Sequence, residues 1–208
     1  MISISIKGLC VERSERRILD NLSIDLISGT ITTVTGPNGV GKSTLLRALA
    51  GLLPAVSGTI TTNGLSYDAT LAESCHYLGH ADGLKNALSV TENLDFWAAM
   101  LGGGGLLPAL ALLQVGLPHV ADVPVGYLSA GQRRRIALAR LLVAHRPIWF
   151  LDEPTTALDV ASQRQCALMM VAHAAAGGLV LAATHAPLGI DNMRELAMSA
   201  RPILAEAS

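Results

Sequence analysis

The sequence predicts an α/β fold built on a largely parallel sheet, and three observations carry that expectation. Short β-branched or apolar runs at Ile31–Thr35, 148–151 and Leu179–Ala183 read as buried strands, and each runs into polar residues. Leu45, Leu46, Leu49, Leu52 and Leu53 recur at helical spacing just after the first run. A long helical stretch then precedes the second run, and strands joined through helices pair in parallel.

In chain order, residues 2–11 and 18–26 alternate as strands, with Asp20-Asn21 and Ser28-Gly29 as turn signals. Ile31–Thr35 leads straight into a glycine-rich loop. A helix is expected from near Lys42 to about residues 51–54, and a short strand at 59–62 before the Asn63-Gly64 turn. Residues 89–145 are mostly helical, broken by four consecutive glycines at 102–105, the only low-complexity patch. Residues 166–190 read as a helix, a turn and a buried strand. Residues 191–208 read as a helix followed by a tail, with no closing strand evident.

At 208 residues the chain suits one domain with a real core and room for a smaller lobe. A net charge of −1 gives no electrostatic reason to expect nucleic acid or an anionic membrane as ligand. Cys10, Cys75 and Cys166 are odd in number and lack CxxC spacing, which fits a reduced compartment and argues against disulfides or structural zinc. The N-terminus lacks the apolar core of a signal peptide. The uncharged stretches 98–121 and 166–190 are interrupted by glycine and proline, so neither is expected to form a membrane span of ~20 residues. The positive mean hydropathy of +0.44 leaves room for an apolar docking surface.

Gly36-Pro37-Asn38-Gly39-Val40-Gly41-Lys42-Ser43-Thr44 matches G-x-x-x-x-G-K-[ST] between an expected strand and an expected helix. Glycines let successive backbone N–H groups converge on phosphate oxygens, and the helix N-terminus adds favourable partial charge. Lys42 is expected to neutralise the β- and γ-phosphates of a nucleotide, and Ser43 to ligate Mg2+. The run Ile148-Trp149-Phe150-Leu151-Asp152-Glu153 is an apolar strand ending in two acids. Asp152 is expected to hold Mg2+ through water, and Glu153 to polarise the attacking water.

Leu128-Ser129-Ala130-Gly131-Gln132 opens an expected helix, from Gln132 to about Val143, that leads directly to this strand. Alone, Ser129 would be an ordinary helix N-cap. In this position the five residues resemble the signature motif of ABC ATPases, with Ala130 where Gly is usual. Pro154-Thr155-Thr156-Ala157-Leu158-Asp159 resembles the D-loop of that family, and His185 falls where its switch histidine belongs. The resemblance covers about residues 1–190. It implies a P-loop NTPase core with a mostly parallel sheet, an N-terminal antiparallel β subdomain and a helical subdomain at about 86–147, all within one domain, 1–208. It also implies a homodimer that sandwiches two ATPs, in which Ser129 and Gly131 contact the nucleotide held by the partner. A kinase or GTPase reading has no use for the signature.

Two positions depart from that family. The aromatic residue that usually stacks on adenine falls on or beside Arg13, in a segment with no aromatic residue. Its guanidinium can stack on a base, or it can be a solvated hairpin tip. In the segment Tyr77-Leu78-Gly79-His80 the glutamine expected in that frame is replaced by His80, eight residues before the phrase Leu88-Ser89-Val90-Thr91-Glu92-Asn93. His80 can hold water near the metal, or be a plain loop histidine. These features resemble the ATPase subunit of the haem exporter of bacterial cytochrome c maturation. That resemblance implies integral membrane transporter subunits and haem-handling proteins as partners, at the cytoplasmic face of the inner membrane. A soluble ABC ATPase, such as an iron–sulfur assembly factor, is the alternative.

Overall fold

The computed structural model describes residues 1–14 and 16–199. Among them lie two sheets. The first is antiparallel, in the order β2-β1-β4, from β1 (Ser3–Arg13), β2 (Arg16–Ile27) and β4 (Ser57–Asn63). Along β1 the most deeply buried residues are Ile4 and Ile6, then Leu9 and Val11, with Cys10 also buried between the last two. That change of phase coincides with register irregularities around residues 6–9, because one extra residue turns the following side chains to the other face.

The second sheet is parallel throughout, in the order β5-β6-β7-β3-β8. Its strands are β3 (Ile31–Thr35), β5 (Cys75–Leu78), β6 (Ile148–Asp152), β7 (Leu179–Ala183) and β8 (Arg194–Ala197). Both central strands β6 and β7 are buried along their whole length, which is why they read as continuous apolar runs. Ile148, Phe150, Leu179 and Leu181 face a core shared with the antiparallel sheet and α1 (Lys42–Leu49). Trp149, Leu151, Val180 and Ala182 face the other core, with α5 (Val160–Ala175) and the helical lobe.

That lobe contains α2 (Val90–Met100), α3 (Pro108–Gln114) and α4 (Ala130–Ala139). Ser89 caps α2 through a reciprocal pair with Glu92, and Pro108 starts α3, where its missing N–H costs nothing. The glycine run is a packed turn between α2 and α3. Leu106 N donates to Leu142 O at 2.7 Å, His145 N donates to Gly103 O at 2.9 Å, and a Cβ on Gly105 would strike the Leu142 carbonyl.

Three expectations need correction. Residues 191–199 hold no helix: Arg194–Ala197 is an edge strand pairing with β3, and its half-polar, exposed pattern hid it from a reading that looks for apolar runs. The remainder of that expectation, 200–208, lies outside the described residues. β5 was unmarked, since His76 interrupts its apolar pattern although it is buried. α4 ends at Ala139, and Leu141 and Leu142 continue it with tighter bonds to the carbonyls of Leu138 and Ala139. No helix among the described residues is long and apolar enough to cross a membrane.

Candidate nucleotide-binding site

The glycine-rich loop leaves the C-terminal end of β3, and α1 begins at Lys42. Gly36 and Gly41 have φ of 135° and 112°, backbone that L side chains rarely adopt. A Cβ on Gly36 would strike the Met198 carbonyl just beyond β8, and one on Gly41 would come within 2.8 Å of Leu19 Cδ2 on β2. The loop is therefore held between the last described segment and the antiparallel sheet.

Lys42 is buried, and its ammonium donates to the carbonyls of Gly36 at 2.7 Å and Pro37 at 3.1 Å. It lies 3.0 Å from His185 Nε2. The Ser43 hydroxyl donates to Asp152 Oδ1 at 2.9 Å, joining the start of α1 to the end of β6. The neighbouring Glu153 has φ of +49° and lies immediately before a proline. Its Oε1 is buried without a hydrogen-bond partner, 3.5 Å from His185 Nε2. A cavity of about 540 Å³ is lined by Arg13, Asn38, Lys42, Asp152, Glu153 and His185, along with Gly39, Gly41, Ser43 and Thr44. Val40 turns to an adjacent cleft beside β2 and β8.

Other expected site residues stand apart from that cavity. His80 is exposed and lines a separate cleft of about 210 Å³ with Ala130, Arg133 and Arg134, which shares Thr156 with the first cavity. Ser129 is exposed and caps α4 in a reciprocal pair with Gln132, and Leu128 is the half-buried residue before it. Gly131 packs on Ala157, whose carbonyl would stand 2.9 Å from an added Cβ. Asp159 caps α5, its Oδ1 accepting from Ser162 N at 2.8 Å, and hydrogen bonding from the Ser162 side chain and then its backbone N–H holds the carboxyl below the usual range.

The structure adds residues that motif reading passed over. Tyr77 donates to Asp152 Oδ2 at 3.5 Å and accepts from Arg47 Nε at 3.1 Å, with burial pushing its phenol pKa up. Arg134 is buried and donates to four backbone carbonyls around the end of β6. The only trace of Arg134 in the sequence is the charged triplet at 133–135, which also reads as a solvated helix face.

Residues 19–156 match the ABC transporter family. The chain is 54% identical over 183 residues to the cytochrome c biogenesis ATP-binding export protein CcmA of Nitrobacter winogradskyi, covering 88% of this chain and 92% of that protein. The protein of the same name from Chelativorans sp. is 51% identical over 197 residues, covering 93% and 96%. An ABC transporter ATP-binding protein from Pyrococcus furiosus has the same fold, with a TM-score of 0.79 at 22% identity and coverage of 94% and 97%. An ATP-binding subunit of an ABC transporter matches with a TM-score of 0.83 at 21% identity, over 94% and 85%. The chain belongs to the ABC transporter family, as an ATPase of the group that comprises the cytochrome c biogenesis ATP-binding export proteins.

Proposed function

We propose that two copies of this ATPase close on two molecules of ATP and Mg2+, and so drive a membrane-embedded partner that handles haem for cytochrome c biogenesis. The work is done at the cytoplasmic face of the bacterial inner membrane. One observation carries the reading: Lys42, Ser43, Asp152, Glu153 and His185 share one cavity, while the capped head of α4 at Ser129 is exposed outside it. Half of an anion site therefore faces outward, suited to a nucleotide on a second copy.

The residues fit both ligands. Lys42 exchanges its bonds to the Gly36 and Pro37 carbonyls for phosphate oxygens. The Ser43 hydroxyl and Asp152 carboxylate, already paired at 2.9 Å, are hard oxygen donors of the kind Mg2+ takes. Among the described residues no group of three or more His, Cys, Asp or Glu side chains is set to hold a metal. Ser43 and, through water, Asp152 would hold Mg2+, whose usual surroundings are phosphate and water. The metal would supply neutralisation of charge on the transferring phosphoryl group.

Glu153 Oε1, buried and unpartnered, accepts a hydrogen bond from the attacking water and draws its proton away. His185 stands between Lys42 and Glu153 and reaches the terminal phosphate. Arg13, at the rim, stacks on the base. His80 holds water at the entrance to the helical lobe. Ser129 and Gly131 of one copy close over the phosphate of the other, and Asp159 meets the partner at the same seam.

Two experiments test this reading. Glu153→Gln should bind ATP and trap a dimer that wild-type hydrolysis dissolves, which gel filtration with ATP would display. Purified chain should fractionate with membranes when the integral membrane subunits are co-expressed. Recovery in a cytosolic iron–sulfur complex instead would overturn the membrane reading.

A further inference from the structure

We propose that Arg134 is a positioning residue for hydrolysis: its guanidinium holds the backbone of Glu153 in place and ties that residue to the helix headed by Ser129. The inference deepens the proposed function and rests on Glu153 aligning the attacking water. Arg134 lies in the second turn of α4, and is only 7% exposed. Its Nη2 donates to the carbonyls of Asp152 at 2.8 Å and Glu153 at 2.6 Å, and its Nε donates to Pro154 O at 3.2 Å. Three consecutive carbonyls therefore converge on one cation. The last donor, Nη1, reaches Gly79 O at 2.8 Å, one residue before His80.

This convergence answers a local difficulty. β6 ends at Asp152, and Glu153 turns to φ of +49° with a proline behind it. A left-handed non-glycine residue persists where its surroundings overdetermine it. Glu153 N is held by the Ala183 carbonyl at 2.9 Å, and its own carbonyl is held by Arg134. At Oε1 the carboxylate has no hydrogen bond, only the 3.5 Å approach of His185 Nε2, so the direction in which it points is set chiefly by its backbone. A planar fork with several fixed donors suits this task, whereas an ammonium is a single point of charge.

The same side chain makes the site responsive. Ser129, Gly131 and Arg134 sit at the head of one helix, so a rotation of α4 moves the outward anion site and the Glu153 backbone together. Docking of Ser129 on a partner's nucleotide is thereby felt at Glu153 through one residue, and the bond to Gly79 O carries the same motion to the lobe connection.

The test uses the full chain with its membrane partners, comparing Arg134→Lys, Arg134→Ala, Arg134→Gln and Glu153→Gln. Arg134→Lys keeps the charge and loses the fork, so nucleotide affinity should stay within about twofold while turnover falls roughly 100-fold, the scale of a small misplacement. Arg134→Ala should regain turnover when guanidinium is added below denaturing concentrations, with urea at the same concentration giving none. Thermal melting with bound nucleotide identifies a variant that does not fold, and Arg134→Gln replaces it in the comparison. Wild-type turnover in Arg134→Lys, a proportional loss of affinity and turnover, or no regain with guanidinium would overturn the proposal. Full turnover in Glu153→Gln would instead remove the reading of Glu153 on which it rests.

Discussion

Lys42 Nζ and His185 Nε2 lie 3.0 Å apart at the mouth of the glycine-rich loop, with Glu153 Oε1 3.5 Å from the same imidazole nitrogen. One ring nitrogen thus stands between Lys42, proposed to hold phosphate, and Glu153, proposed to direct water. As an acceptor it serves Lys42, and as a donor it serves Glu153. His185→Ala should therefore spare nucleotide binding and reduce turnover roughly 100-fold. Equilibrium binding of a non-hydrolysable analogue, set beside steady-state phosphate release, checks the split. Equal loss in both would make His185 a loop-shaping residue.

Arg13 closes the cavity at the tip of the β1–β2 hairpin, where it pairs with Arg16. If its guanidinium stacks on the base, Arg13→Ala should weaken ATP binding roughly fivefold, the scale of an exposed cation–π contact. Binding of inorganic tripolyphosphate should not change. A parallel loss for tripolyphosphate would assign Arg13 to general attraction of anions.

Ser89 and Ser129 are the same device in two settings. Each caps a helix and accepts from the backbone N–H three residues on, at 3.2 Å in both cases. Ser89→Ala should cost about 1 kcal/mol of stability, read from chemical denaturation, and leave turnover alone. Ser129→Ala should cost a similar amount and also suppress ATP-dependent dimerisation. If the two variants behave alike in the dimer assay, Ser129 is only a cap.

Two histidines, one buried and one half-buried, predict how stability follows pH. His76 donates to Ala144 O at 2.9 Å, and burial drives its pKa down from 6.5 to about 4. The half-buried ring of His173 stacks on Trp149 with centroids 4.0 Å apart, donates to Pro147 O, and is likewise pushed down to about 4 by burial. Between pH 6.5 and 4 the unfolded chain binds these protons and the folded chain does not. Stability is thus complete above pH 6.5 and is lost as pH falls toward 4. His76 alone accounts for a loss on the order of 3 kcal/mol. Denaturant titrations across that window should give a slope that His76→Gln reduces, and an unchanged slope would refute the assignment.

The sequence reached the cradle because phosphate chemistry fixes spacing: loop, helix start and acidic strand end must each be local, and Gly36 to Thr44 and Asp152-Glu153 are. The central strands were legible because burial on both faces forces unbroken apolar runs such as 148–151. What escaped depends on neighbours far along the chain. β8 is a strand because β3 has a free edge, a fact absent from the composition of Arg194–Ala197. Arg134 and Tyr77 act through side chains that reach Glu153 and Asp152 across the fold, and no local pattern marks such reach. His80 lines a neighbouring cleft that shares Thr156 with the nucleotide cavity, a placement no local pattern announces.

β3 carries the glycine-rich loop, and among the described residues it pairs with β7 and β8, the last two described strands. The loop is therefore made well before the two strands that flank the one carrying it, and a chain grown only as far as β6 holds the loop without its walls. Such a partial chain is expected to bind nucleotide weakly, because the strand that presents the loop's N–H groups still lacks both neighbours.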